Sequence, residues 1–284
     1  MMDISRTPMV RDLVFPEAPR WHDGQLWFSD MIGRRVCTSD PHGSVDTVAR
    51  FEEMAGGIGF LSDRTPLVVG MSSVCLYAVG ERGPEVYADL RGPGGTHLDD
   101  MVVAVDGTAY VGAVGDKSAN AADAPPGAIV RVAPGGAVTV EADGLAFPNG
   151  MVISADGATL LVNETFAERI TAFDIDEAGA LSKGRLWAAL PGLHPDGLAA
   201  DDAGAAWVGC YREHKFVRVA EGGQITDTIH TEDRWATGVA LGGPDGHTLF
   251  MCTADTDHRR FFGGDSRGRI DTARVDVPAA GVAA

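Results

Sequence analysis

The chain has 284 residues, with 23 Lys and Arg against 40 Asp and Glu, a formal net charge of −17. That balance argues against nucleic acid and anionic membranes as partners, since both reward clustered cations. With 45% hydrophobic residues, 37 Gly, 15 Pro and four scattered cysteines lacking CxxC spacing, the composition suits many short strands and turns, and it excludes a zinc knuckle or a dense disulfide frame.

The first residues, MMDISRTPMVRD, show no basic segment followed by an apolar run, and no stretch of about 18 apolar residues occurs. A soluble cytoplasmic protein with reduced, buried thiols is expected. Residues 8–14 (PMVRDLV) predict a short strand. FPEAPRWHDGQLWFSDM then predicts a hairpin about an Asp23-Gly24 turn, with Trp21, Leu26, Trp27 and Phe28 packing between sheets. AGGIGFLSD leads to PLVVGMSSVCLYAV, two more strands with a small-residue entrance at Gly56 and Gly57. GPGGTHLDDMVVAVDGTAYV predicts a third hairpin, followed by an Ala-, Asp- and Pro-rich loop around residues 114–127.

The clearest copy of the pattern is Leu145 to Thr165 (LAFPNGMVISADGATLLVNET), where a Pro-Asn-Gly turn leads into two apolar runs joined by Asp-Gly. The alternating strand RITAFDID and a Glu177-Ala178-Gly179 turn come next. LPGLHPDGLAADDAGAAWVGCY runs into KFVRVAEGG, and WATGVALGGPDGHTLFMCTADTD is followed by a loop over residues 255–268 and a last strand, RIDTARVDV.

The pattern thus occurs six times, at Glu17, Gly57, Asp99, Leu145, Asp196 and Thr237, spaced by roughly 40 to 50 residues, the period of a propeller blade. Helical periodicity is scarce. The expected fold is all-β, a six-bladed β-propeller occupying residues 1–284 as one domain. Such a ring needs closure, and residues 8–14 are expected to complete the sheet containing residues 269–277.

Innermost strands line a propeller's axis, so residues at matching entrances converge on one mouth of the channel. Glu17, Asp99 with Asp100, Asn149 and Asp196 all stand just ahead of an apolar inner strand. Oxygen-bearing side chains aimed at one spot repel unless a cation lies between them. A divalent ion is expected there: calcium by preference, with manganese and magnesium also suited and zinc less favoured by hard oxygen donors. Asp100, one residue beyond Asp99 on an extended strand, should point the other way and bond the neighbouring backbone. Met101, Met151 and Phe147 are expected to serve blade packing, and Arg259, Arg260 and Arg267 to be solvated.

The set PEAPRW, LDDMVVAVDGTAYVG, FPNGMVISADG, HPDGLAADDAG and CTADTD resembles the family of senescence marker protein, gluconolactonase and luciferin-regenerating-enzyme-like proteins, from about Leu13 to Val277. The resemblance implies a six-bladed propeller whose central channel holds one divalent metal on Glu17, Asn149 and Asp196. It also implies hydrolysis of a lactone, with Asp196 or Asp99 taking the proton of the attacking water, and His97 and Asp99 meeting the substrate. Two departures stand out. Asp99-Asp100 replaces the family's usual Asn-Asp, adding negative charge, and His97 stands where a sugar-lactonase member carries Arg, replacing a fixed cation by a switchable imidazole. Rival readings are a non-catalytic metal- or ligand-binding propeller and an esterase or phosphotriesterase-like hydrolase on the same scaffold. A condensing enzyme resembling strictosidine synthase works without this metal set. No GxSxG elbow supports a covalent route.

Overall fold

Short β-branched and apolar runs separated by Gly-containing turns give strands of five to eight residues in the computed structural model, which describes residues 4–93, 95–114 and 126–280. Among these residues, 24 strands form six four-stranded antiparallel sheets. Blades 1 to 6 begin with the strands Pro16–His22, Ala55–Phe60, Leu98–Val103, Pro148–Ile153, Pro195–Ala200 and Trp235–Gly242. Each of these first strands touches the first strand of the next blade, and blade 6 touches blade 1, so they enclose the axis of a six-bladed propeller.

Local turn chemistry accounts for the hairpins. At the first, Asp23 (φ 49°) and Gly24 (φ 77°) both lie in the left-handed region, the two-residue turn whose twist matches the flanking strands. Closure occurs where expected. Arg6–Leu13 joins blade 6 as its outermost strand, pairing with Arg267–Arg274 from Arg6 opposite Ala273 to Leu13 opposite Gly268. Arg6 and Arg269 both bond the buried Asp271.

The core lies between blades. Leu26 and Phe28 are fully buried, Trp21 stacks on Phe250 at 5.4 Å, and Trp27 meets Phe60 edge-on at 5.2 Å. All four cysteines are free and buried. No helix among the described residues is long and apolar enough to cross a membrane.

One expectation needs amendment. The 255–268 segment contains an α-helix, His258–Gly263, capped by the Asp257 side chain on Arg260 N at 2.9 Å and closed by Gly264 at φ 72°. Six residues are too few to show a helical period. The expected 114–127 loop falls mostly outside the described residues.

Candidate functional site at the channel mouth

Every inner strand loses register with its neighbour at the same place: between Glu17 and Arg20, Ala55 and Ile58, Leu98 and Met101, Pro148 and Met151, Pro195 and Leu198, and Ala236 and Val239. Such irregularities re-aim side chains. The equivalent positions are Glu17, Gly56, Asp99, Asn149, Asp196 and Thr237. The residue after each is Ala or Gly in five blades, because neighbouring strands approach too closely for more. A Cβ on Gly150 would lie 2.3 Å from Asp196 O, and one on Gly197 would lie 2.7 Å from Gly238 Cα.

Buried polar side chains hold these entrances across blade boundaries. Ser29 Oγ donates to Gly56 O at 2.6 Å, Asn163 Nδ2 to Asp196 O at 2.8 Å, and Thr237 Oγ1 to Pro16 O at 3.2 Å. Acids pin the preceding loops. Asp30 accepts from Val14 N and Phe15 N, both at 2.9 Å, while Glu164 accepts from Ala146 N at 2.9 Å. Asn149 is oriented by a relay: its Nδ2 donates to Thr165 Oγ1 at 3.4 Å, and that hydroxyl donates to Pro195 O at 2.7 Å. The amide oxygen is the end left for the cavity.

Glu17, His97, Asp99, Asp100, Asn149 and Asp196 all line one cavity of about 1020 Å³. The sequence therefore named residues that the fold brings together. Burial first, then the carboxylates of Asp196 and Asp99, push the Glu17 carboxyl well above the usual range, against the Ala18 N–H, which donates to Glu17 Oε2 at 3.1 Å. Burial likewise raises Asp100, opposed by Arg20.

Asp100 is partly as expected. Its Oδ1 does accept from Met101 N at 2.8 Å, but it also pairs with Arg20 Nη2 at 3.0 Å and lines the cavity together with Asp99. Simple alternation fails because Leu98 to Met101 spans the lost register. Arg20 reaches Asp100 past the glycine-rich inner strand of blade 2, where a Cβ on Gly57 would stand 2.6 Å from Asp100 Oδ1.

Met101 and Met151 are buried in the core, as expected, but Phe147 lines the cavity, its φ of 64° belonging to the loop ahead of the inner strand. Further aromatics join it at the rim. Phe15, Phe166, Tyr211, Trp235 and Phe261 line the mouth. Its guanidinium groups come from Arg34 and Arg212, whereas Arg259 and Arg267 are exposed elsewhere and Arg260 pairs with Asp255 at 2.7 Å. Phe15 and Trp235 hold the repeat position two residues ahead of Glu17 and Thr237, as Phe147 does ahead of Asn149, whereas Phe166, Tyr211 and the two arginines lie at hairpin tips and Phe261 on the short helix, outside the repeated pattern.

Six four-stranded blades around a cavity with an acidic floor define a β-propeller with an axial small-molecule site. The chain belongs to the SMP-30/Gluconolactonase/LRE-like family, whose model matches residues 15–255. It is 28% identical over 276 residues to the 6-deoxy-6-sulfogluconolactonase of Pseudomonas putida, covering 93% of this chain and 92% of that one. It is 27% identical over 276 residues to the pentonolactonase XacC of Haloferax volcanii, covering 93% and 91%. Its fold is similar to that of a calcium-binding protein, regucalcin, from Agrobacterium tumefaciens, with a TM-score of 0.78, 20% identity and coverage of 97% and 93%.

Proposed function

We propose that the chain is a lactonase that opens a cyclic ester at the channel mouth, with a divalent cation held by Glu17, Asn149 and Asp196. The observation that carries this reading is the gathering of Glu17, Asp99 and Asp196 beside Asn149 in one cavity, where burial and then the neighbouring carboxylates push Glu17 up. Such a set lacks a positive charge and offers hard oxygen donors. Among the described residues, no three His, Cys, Asp or Glu side chains form a ligand set by themselves. The Asn149 amide oxygen would complete the set beside Glu17 and Asp196. Calcium fits these donors best, ahead of manganese, magnesium and zinc.

When bound, the cation supplies polarisation of the lactone carbonyl. Asp99 or Asp196 takes a proton from the attacking water at a carboxylate oxygen. The acyl–oxygen bond of the ring breaks, and that proton passes to the departing ring oxygen, giving a hydroxy acid. His97 lines the cavity, its Nδ1 3.3 Å from the Thr96 hydroxyl, and with Asp99 it would meet the ring substituents. The two lactonase relatives, each matched over nine-tenths of its length, support the reaction class, and the regucalcin fold supports the choice of calcium.

The test combines elemental analysis of the purified protein with a lactone panel assayed under added calcium, manganese or zinc. Asp196→Ala should abolish turnover and weaken metal retention. Full activity in that variant would count decisively against the scheme. Thermal stabilisation by a cation without hydrolysis of any lactone would instead make the chain a binding module.

A further inference from the structure

The cavity is two-sided. Its carboxylates and the Asn149 amide sit at the axial floor, where two groups are already engaged, Asp100 by Arg20 and Met101 N and Thr165 by Pro195 O, while Arg34, Arg212 and His97 are polar groups of the rim. Above the floor, blades 1 and 6 raise an apolar wall. Phe15 meets Phe261 at 4.9 Å, Phe261 lies 6.0 Å from Trp235, and Tyr211 of blade 5 extends the wall at 5.1 Å from Trp235. Met31, Ile32 and Met54 line the same cavity. On blade 4, opposite blade 1 in the ring, Phe147 and Phe166 pack at 5.0 Å and face it.

The helix His258–Gly263 sharpens the point. It buries none of its residues, yet it carries two phenylalanines into the lining, and Phe262 is 70% exposed. One exposed ring signals nothing by itself. An exposed ring continuous with an aromatic wall around a cavity of about 1020 Å³ is apolar surface prepared for a ligand. A sugar lactone is polar on every side, and hydroxyls turned to Phe15, Met31 or Phe261 would lose water without gaining a partner. A hydrocarbon substituent there gains from leaving water.

We propose that the preferred substrate is a lactone bearing an alkyl or aryl substituent, its ring at the acidic floor and its hydrocarbon between the Phe15–Trp235–Phe261 wall and the Phe147–Phe166 pair. This rests on the lactonase reading. It is tested by measuring kcat/KM along γ-butyrolactone, γ-hexalactone, γ-octalactone and γ-decalactone, beside glucono-δ-lactone, with calcium, manganese and zinc each supplied. The expected result is a rise of about fourfold per added methylene over the first few carbons, and a shallower rise in Phe262→Ser. A flat alkyl series with glucono-δ-lactone turned over faster overturns the substrate class while leaving the lactonase reading intact. If no lactone is opened, the lactonase reading fails and fluorescence decides the rest. Quenching of Trp235, referenced to Trp235→Phe, that tightens with γ-lactone chain length upholds the apolar site, and no quenching by γ-decalactone refutes it.

Discussion

Glu164 governs the loop that presents Asn149. It accepts from Arg169 Nε at 2.8 Å, from the Thr171 hydroxyl and from Ala146 N, just ahead of the Pro148–Asn149 entrance. Burial would raise its carboxyl, but these donors outweigh it and hold the group below its ordinary value. A carboxyl depressed in the folded state adds stability above its unfolded pKa, about 4.3, and loses it as pH falls through the folded value. Glu164→Gln should therefore cost about 1–3 kcal/mol at pH 7 by urea denaturation. The gap between variant and parent should close below about pH 4; a gap of constant size from pH 7 to pH 3 would contradict the assignment. Asn163 acts similarly on the fifth entrance through Asp196 O and Gly197 O, at 2.8 and 3.2 Å. Asn163→Ala should lower stability by about 1–3 kcal/mol and reduce kcat with the Asp196 backbone no longer held.

Legibility at this scale followed repetition. Glu17, Asp99, Asn149 and Asp196 recur at one position of a repeat, so the sequence exposes them. Asn163, Ser29 and Glu164 lie at the ends of second strands, and what they do is not visible there, since their work is done on the next blade or the preceding loop.

The strand Arg6–Leu13 is the element on which closure depends. Val10 and Leu13 are buried against blade 6, and Arg6 compensates Asp271 within it. Deleting residues 1–13 should cost about 3–6 kcal/mol from the two lost side chains, read as a lowered melting temperature. Hydrogen exchange should show the amides of Arg267–Arg274 changing from protected to fast. Unchanged protection there would mean that the ring holds shut without its terminal strand. This pairing was legible because the strand at residues 8–14 precedes the first repeat, while the last repeat supplies only three strands of its own sheet. The helix His258–Gly263 was not, for its start depends on the Asp257 cap and its position on Phe261 packing against Phe15.

Across the whole molecule, inner strands from six blades share a narrow axis. At Gly197 the atoms a Cβ would strike are backbone of the next blade, with Val239 N at 2.8 Å and Thr237 O at 2.9 Å, so no side chain can move aside. Gly197→Ala should destabilise by about 1–3 kcal/mol or more in thermal melts and disturb Asp196 with it. The same convergence concentrates negative charge at the mouth. Supplying calcium at a hundred times its dissociation constant should stabilise the fold by about 2.7 kcal/mol, and Glu17→Gln should remove that shift; stabilisation equal in both proteins would place the cation elsewhere.

The sequence by itself determined the blades, their number and the acidic residues of the mouth, because a turn such as Asp23-Gly24 and an entrance such as Pro195-Asp196 are local and recur at a fixed spacing. Tertiary structure alone decided that Asp99 and Asp100 share the cavity, that Arg20 reaches Asp100 past Gly57, and that Phe15, Trp235 and Phe261 form one wall. These depend on lost strand register and on ring closure, which bring together residues from opposite ends of the chain, and no local pattern encodes a contact that exists only once the ring has closed.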